Sequence, residues 1–174
     1  PDGFLHRFRA GEAGIAASLD DYAFFTFALI ELYDATGNAF YLETASELTD
    51  YIIVNFKDHK NGGFFFTPND GEEIIIRQKE IFEGAMPSGN SVAIWNMLRL
   101  GRMTAKTAFL DEAWDAASSF YSEIRQSPGA YTQFITSLDF AFGPSHEVVI
   151  VGDPAKKDAV DMVQALKSRF LPNT

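Results

Sequence analysis

Apolar residues crowd the chain from Leu19 to Tyr33, where Tyr22-Ala23-Phe24-Phe25-Thr26-Phe27-Ala28-Leu29-Ile30 leaves almost no polar face. A helix that is apolar nearly all round is one enclosed by other elements, so this stretch predicts an inner helix. Asp20 or Asp21 is the expected N-cap, and Gly37-Asn38 the stop. Beyond that turn Tyr41, Leu42, Ala45, Leu48, Thr49 and Ile52 recur at helical spacing, with Glu43, Glu47 and Asp50 on other faces. That pattern predicts an amphipathic outer helix.

The same order then returns. Residues 91–103 are apolar on most sides, with Trp95 expected in the core, and residues 107–124 are amphipathic, with Leu110, Ala113, Trp114, Ala117 and Tyr121 as the expected buried stripe. A shift of 68 residues sets Leu32 on Leu100, Leu42-Glu43 on Leu110-Asp111 and Ala45 on Ala113 without a gap, which marks an internal repeat. Between the two hairpins, residues 61–66 and 73–77 flank Thr67-Pro68-Asn69-Asp70-Gly71 and predict a small β-hairpin insertion. A third unit follows Ser127-Pro128-Gly129: a shorter helix over 131–140, a strand over 146–151 and an amphipathic helix over 154–170. Enclosed and amphipathic helices alternating as hairpins predict a mainly α fold, a partial α/α toroid built of helical hairpins, with residues 1–174 as a single domain. An arc of this kind leaves an edge to be covered by the rest of a parent protein or by a homo-oligomer.

Composition narrows what such a domain does. At 174 residues and 47% hydrophobic, the chain buries one sizeable core; its seventeen Phe, six Tyr and two Trp suit a core or an aromatic-lined cleft. A formal net charge of −10 argues against a nucleic-acid partner, which needs clustered Lys and Arg, and favours neutral ligands over polyanions. No apolar run approaches the about 20 residues that span a bilayer, so no membrane partner is expected. The absence of cysteine removes disulfides, thiolate nucleophiles and Cys-based zinc sites.

Asp2-Gly3-Phe4-Leu5-His6-Arg7-Phe8-Arg9, Leu19-Asp20-Asp21-Tyr22-Ala23-Phe24, Gly62-Gly63-Phe64-Phe65, Glu83-Gly84-Ala85-Met86-Pro87-Ser88-Gly89-Asn90-Ser91 and Glu147-Val148-Val149-Ile150-Val151-Gly152 occur in this order. Together they resemble the C-terminal half of the spermatogenesis-associated, thioredoxin-domain-containing family. The resemblance implies a toroid similar to N-acylglucosamine 2-epimerases and other six-hairpin carbohydrate enzymes. It also implies a parent chain whose thioredoxin-like domain lies outside this sequence and would be its partner there. The Cys-X-X-Cys chemistry of that domain has no matching residue here, and the histidine pairs of the epimerases have no counterpart. A cytoplasmic location is the expectation.

The candidate chemistry sits where inner helices begin. Asp20 and Asp21 are paired carboxylates at the mouth of the first inner helix, and Glu83 or Glu80 would complete an acid–base pair across a cavity, as glycoside chemistry requires. Tyr22 offers a ring to stack on a sugar face. Ser88 and Asn90, around Gly89, offer hydroxyl and amide groups for sugar hydroxyls, with capping of the following helix as the competing role. His6 and Asp139 are further substrate-binding candidates, while His59 reads as a solvated turn residue. His6, His59 and His146 lie in separate segments without ligand spacing, so neither a metal nor a cofactor is expected. Three functions compete: a carbohydrate-active or carbohydrate-binding domain for a neutral sugar, a non-catalytic scaffold serving the thioredoxin-like half of the parent, and a helical interaction module in an oligomer. The N-termini of the two repeated inner helices are expected side by side, lining one polar concavity.

Overall fold

The apolar stretch at residue 19 becomes α1 (Leu19–Thr36) and the amphipathic one behind it α2 (Ala39–Phe56), in a computed structural model that describes residues 6–70, 75–169 and 171. The N-cap of α1 is Ser18, not Asp20 or Asp21. Asp21 occupies the third helical position instead, where its Oδ2 accepts from the Ser18 backbone N–H and hydroxyl, both at 2.8 Å. With the Ser18 side chain facing the Asp21 N–H in return, this is a capping box, and it commits one of the two carboxylates to starting the helix. Gly37 ends α1 in the left-handed region at φ 72°, its N–H returning to the Tyr33 carbonyl at 2.7 Å.

The second hairpin, α3 (Gly89–Thr104), α4 (Thr107–Ser119) and the short α5 (Tyr121–Ile124), repeats these boundaries 68 residues later except at its start, where α3 begins two residues further on. Thr36 and Thr104 both turn their hydroxyls onto carbonyls four residues back, Leu32 and Leu100. Gly37 and Ala105 are both left-handed caps, and α2 and α4 both start two residues later. Ala105 does this without glycine, at φ 55°, which costs about 1 kcal/mol. The predicted helix 107–124 breaks at Phe120, which turns inward and is buried, so Tyr121 faces solvent rather than the core. The buried stripe of α4 is Phe109, Ala113, Ala116 and Ala117.

Within each hairpin the helices are antiparallel: Tyr22 near the start of α1 stacks on Tyr51 near the end of α2, and Gly101 near the end of α3 lies against Leu110 at the start of α4. Between hairpins they are parallel. Asp20 meets Gly89, the Asn96 amide donates to the Ala23 carbonyl at 2.8 Å, and Arg99 pairs with Glu31 at 2.6 Å and Asp34 at 2.5 Å. The core between them holds Tyr22, Ile30, Ile52, Phe56, Ile94, Met97, Leu100 and Phe109, each at most 2% exposed.

Strand structure differs from expectation. A two-stranded antiparallel sheet precedes the helices: β1 (His6–Arg9) and β2 (Glu12–Ala16) join through Ala10 and Gly11, both at positive φ. The expected hairpin over 61–77 does not form as such; residues 71–74 lie outside the described residues. Asp58 ties the Lys60 and Asn61 amides, Gly62 and Gly63 curl at φ 71°, and Phe64 makes a single bridge to Lys57. Phe66 then bonds Gln78 and Leu19, which stitches the segment across the start of α1. Residues 146–151 form no strand.

The chain divides into two compact units, Pro1–Ser137 and Leu138–Thr174. The first carries both hairpins and the start of α6 (Thr132–Phe142); the second carries the end of α6 and α7 (Lys157–Lys167). Among the described residues no helix is long and apolar enough to cross a membrane.

Candidate functional site

The start of α1 opens on a concavity of about 570 Å³ whose lining includes His6, Asp20, Asp21, Phe24, Phe25 and Met86. Two carboxylates, an imidazole, two phenyl rings and a thioether meet there. The Asp20 carboxylate lies directly over Gly89, the first residue of α3: a Cβ on Gly89 would stand 2.2 Å from Asp20 Oδ1. Glycine at 89 is what lets the carboxylate sit there, and the uncommitted amides of a helix N-terminus favour its negative charge. His6 Nδ1 lies 3.2 Å from the Gly14 carbonyl; donating to that acceptor leaves Nε2 as the acceptor nitrogen.

The expected juxtaposition of the two inner-helix N-termini is therefore present, since Asp20 abuts Gly89. The shared concavity is not, because the α3 rim is filled from within. Ser88 is the N-cap of α3, its Oγ accepting from the Ser91 N–H at 3.1 Å. Asn90 spends its whole amide on the backbone: Oδ1 accepts from the Phe64 N–H at 2.9 Å, and Nδ2 donates to the Phe64 and Glu80 carbonyls at 2.9 and 2.8 Å. Tyr22 is buried, stacked on Tyr51 with ring centroids 4.8 Å apart, so its ring has no face for a ligand. The Tyr51 hydroxyl reaches Asp70 at 3.1 Å, and burial, then Tyr22, then Asp70 push its pKa above the usual phenol range. Glu83 caps α6 from a distance, accepting from the Gln133 and Phe134 N–H groups at 2.8 and 3.0 Å. Asp139 is exposed on α6, in the second unit. Of the sequence candidates, the concavity gathers His6, Asp20 and Asp21.

The plug over the α3 rim was not singled out by sequence reasoning. Asp58 is buried and accepts from the Lys60 and Asn61 N–H groups, from Asn61 Nδ2 at 3.1 Å and from Lys79 Nζ at 2.9 Å. Burial pushes this carboxyl up, but Lys79 and the three N–H donors outweigh it and hold the pKa well below the usual carboxylate range. Lys79 also donates to the Gly62 carbonyl at 2.7 Å, and the Arg77 guanidinium lies 4.2 Å over the Phe65 ring while bonding the Thr67 and Asn55 carbonyls. The run Asp58-His59-Lys60-Asn61-Gly62-Gly63 signals the turn; its remote cation has no local signal. Among the described residues no three His, Asp or Glu side chains converge as a metal-binding set.

No protein-family model matches the chain. Spermatogenesis-associated protein 20 of Rattus norvegicus is 33% identical over 156 residues, 89% of the chain, and the Homo sapiens protein matches at the same identity and length. These proteins are homologues of the chain. An uncharacterized protein of Caenorhabditis elegans is 30% identical over 163 residues, 94% of the chain. The chain spans only 20–22% of the length of these relatives. Among solved structures, a glycoside hydrolase family 76 mannosidase from Bacteroides thetaiotaomicron aligns with a TM-score of 0.54 over 68% of this chain and 33% of that one, at 19% identity. The likeness is one of fold: the helical hairpins belong to an α/α toroid.

Proposed function

We propose that this domain recognises a neutral carbohydrate at the open rim of α1, with Asp20 and Asp21 as the polar end of the site. The observation that carries the reading is the concavity of about 570 Å³, which sets two carboxylates beside accessible aromatic and thioether surface. Sugars present both matching surfaces, hydroxyls to carboxylates and C–H faces to rings such as Phe24. The net charge of −10 supports a neutral ligand over an anionic one. Within the pair the roles divide. Asp21 is fixed by Ser18 and positions the helix start, whereas Asp20, over the α3 N-terminus, is the carboxylate assigned to the ligand's hydroxyl groups and to proton transfer to or from a ligand oxygen.

One observation favours a second reading, a scaffold serving the thioredoxin-like half of a parent chain: Tyr22, Glu83, Ser88 and Asn90 all spend their polar groups inside the fold. Thermal unfolding against a panel of mono- and oligosaccharides separates the two. A sugar at 100 times its Kd adds about 2.7 kcal/mol of stability, a readily measured rise in melting temperature. Asp20→Asn is expected to abolish that rise while the ligand-free chain stays folded, with its midpoint lowered only by the loss of a helix-terminus charge. No response from either this chain or the full-length rat relative would leave the scaffold reading.

A further inference from the structure

Away from the α1 rim, the first turns of α2 and the turn from α3 into α4 frame a second cavity, of about 320 Å³. Glu43, Ser46, Glu47, Asp50, Thr104 and Lys106 line it, which sets three carboxylates against one ammonium. Lys106 answers one of the three: its Nζ lies 3.5 Å from Asp50 and 4.9 Å from the centre of the Phe109 ring. Glu43 and Glu47 have no partner among the described residues. An acidic row on a helix is commonly a solvated face, so the charges alone make no site. Ser46 supplies the second observation. It is 7% exposed, and its hydroxyl makes no hydrogen bond within the protein. Helical hydroxyls ordinarily turn onto the carbonyl four residues back, as those of Thr44, Thr49 and Thr104 do nearby at 2.9, 2.9 and 2.6 Å. Among the described residues, the orphan side-chain atoms sealed from solvent belong to Thr26, Thr67 and Asn96. The Ser46 hydroxyl is not sealed, and it opens on the cavity it lines. One repeat later the same helical position is Trp114, so the first hairpin holds a hydroxymethyl group where the second holds an indole.

We propose that this cavity binds a linear aliphatic diamine unit, free or within a longer polyamine, with its ammonium groups on Glu43 and Glu47 and one N–H donated to the Ser46 hydroxyl. Three features set the ligand class. The excess of carboxylates selects a cation, and a buried hydroxyl without a protein partner needs a polar group to meet it. Carboxylates four residues apart on a helix stand about 6 Å apart along its axis, which matches two ammonium groups joined by four methylenes. Among the described residues no three acidic side chains converge as a metal-binding set, so the charges suit a spread cation rather than a point charge. Leu42, also in the lining, offers apolar surface to the methylenes. This proposal is independent of the carbohydrate reading, which concerns the other cavity.

The test is isothermal titration calorimetry of the chain with 1,4-diaminobutane and with spermidine, in about 150 mM salt so that diffuse attraction to an acidic surface is screened. Saturable binding of one ligand per chain is expected, with N-acetyl-lysine amide, which carries a single ammonium, at least tenfold weaker. Ser46→Trp fills the cavity with the residue of the second repeat and is expected to weaken diamine binding more than tenfold. Glu43→Gln combined with Glu47→Gln should weaken it about tenfold. Asp111→Asn removes a carboxylate at the position of Glu43 one repeat later and should change affinity less than twofold. The absence of saturable binding, or an Asp111→Asn effect as large as that of the double variant, would overturn the proposal. N-acetyl-lysine amide binding as tightly as the diamine would overturn it too, in favour of a lysine side chain of a protein partner. Should Ser46→Trp fail to fold, the double variant decides alone, and parental affinity in it ends the proposal.

Discussion

The rims of α1 and α3 occupy the same place in one repeat and are used in opposite ways. At α3 a loop running from Asp58 to Glu80 lies over the helix start, and Asn90 and Ser88 are consumed in holding it. At α1 Ser18 and Asp21 close the helix start among themselves, and Asp20 stands at the edge of a concavity. The lesson is that side-chain chemistry at a repeated position does not fix its use. An amide suited to sugar hydroxyls becomes a backbone clamp once Phe64 and Glu80 supply the partners, whereas at α1 the cap is Ser18 and the Asp20 carboxylate lies over the first residue of α3 instead.

The sharpest way to break this comparison is Asn90→Ala. It removes the partners of the Phe64 N–H and of the Phe64 and Glu80 carbonyls, in a place where Asn90 and Phe64 are 1% exposed. Unmet buried groups of this kind cost about 1–3 kcal/mol each, so a loss of about 3 kcal/mol in urea unfolding is expected. Asp20→Asn at the other rim removes a charge from a helix N-terminus and should cost no more than about 1 kcal/mol. Equal effects at the two rims would end the distinction between a clamp and a site.

The next effect is read in pH. Asp58 is held below the usual carboxylate range in the folded chain, so the unfolded chain takes up its proton first as pH falls. Its contribution is full above the unfolded value of about 4 and is lost as pH drops through the lower folded value. Unfolding midpoints measured downward from about pH 6 should therefore fall more steeply for the parent than for Asp58→Asn, with the two curves drawing together at the acid end. Parallel curves would show that Lys79 and the turn amides do not hold the charge.

Much of this fold was legible because hairpin boundaries are local. Periodicity located α1 to α4 and Gly37 marked the end of α1, whereas the matching left-handed cap at Ala105, an alanine, carried no such mark. The N-cap of α1 is a local feature too, yet the sequence pattern points to Asp20 or Asp21 where Ser18, with Asp21 three residues on, forms the capping box. What was not legible depended on distant partners. Nothing near Asp58 announces Lys79, nothing near Glu83 announces the first turn of α6, and Trp95 reads as core but is only half-buried, with the Arg99 guanidinium 5.7 Å from its ring. The extended segments failed as strand predictions for a related reason: a strand needs a partner edge, and residues 61–66 found α2 and the start of α1 instead.

The smallest expected effect is the one that best sharpens the site. Glu83 and Asp20 were both candidates for proton transfer, yet Glu83 has two backbone N–H groups of α6 on its two oxygens. Glu83→Gln keeps one acceptor oxygen, replaces the other with a donor and removes the charge facing the helix N-terminus. Losing one capping bond and that charge is worth about 1 kcal/mol of stability, seen as a modest shift in urea midpoint. A merely structural Glu83 leaves any sugar-induced rise in melting temperature at its parent value, because the ligand pole is Asp20. The variant is thus expected to be slightly less stable and fully responsive, whereas Asp20→Asn loses the response. Loss of the sugar response in Glu83→Gln, with the chain still folded, would return Glu83 to the site and make its hold on α6 a coincidence of two functions.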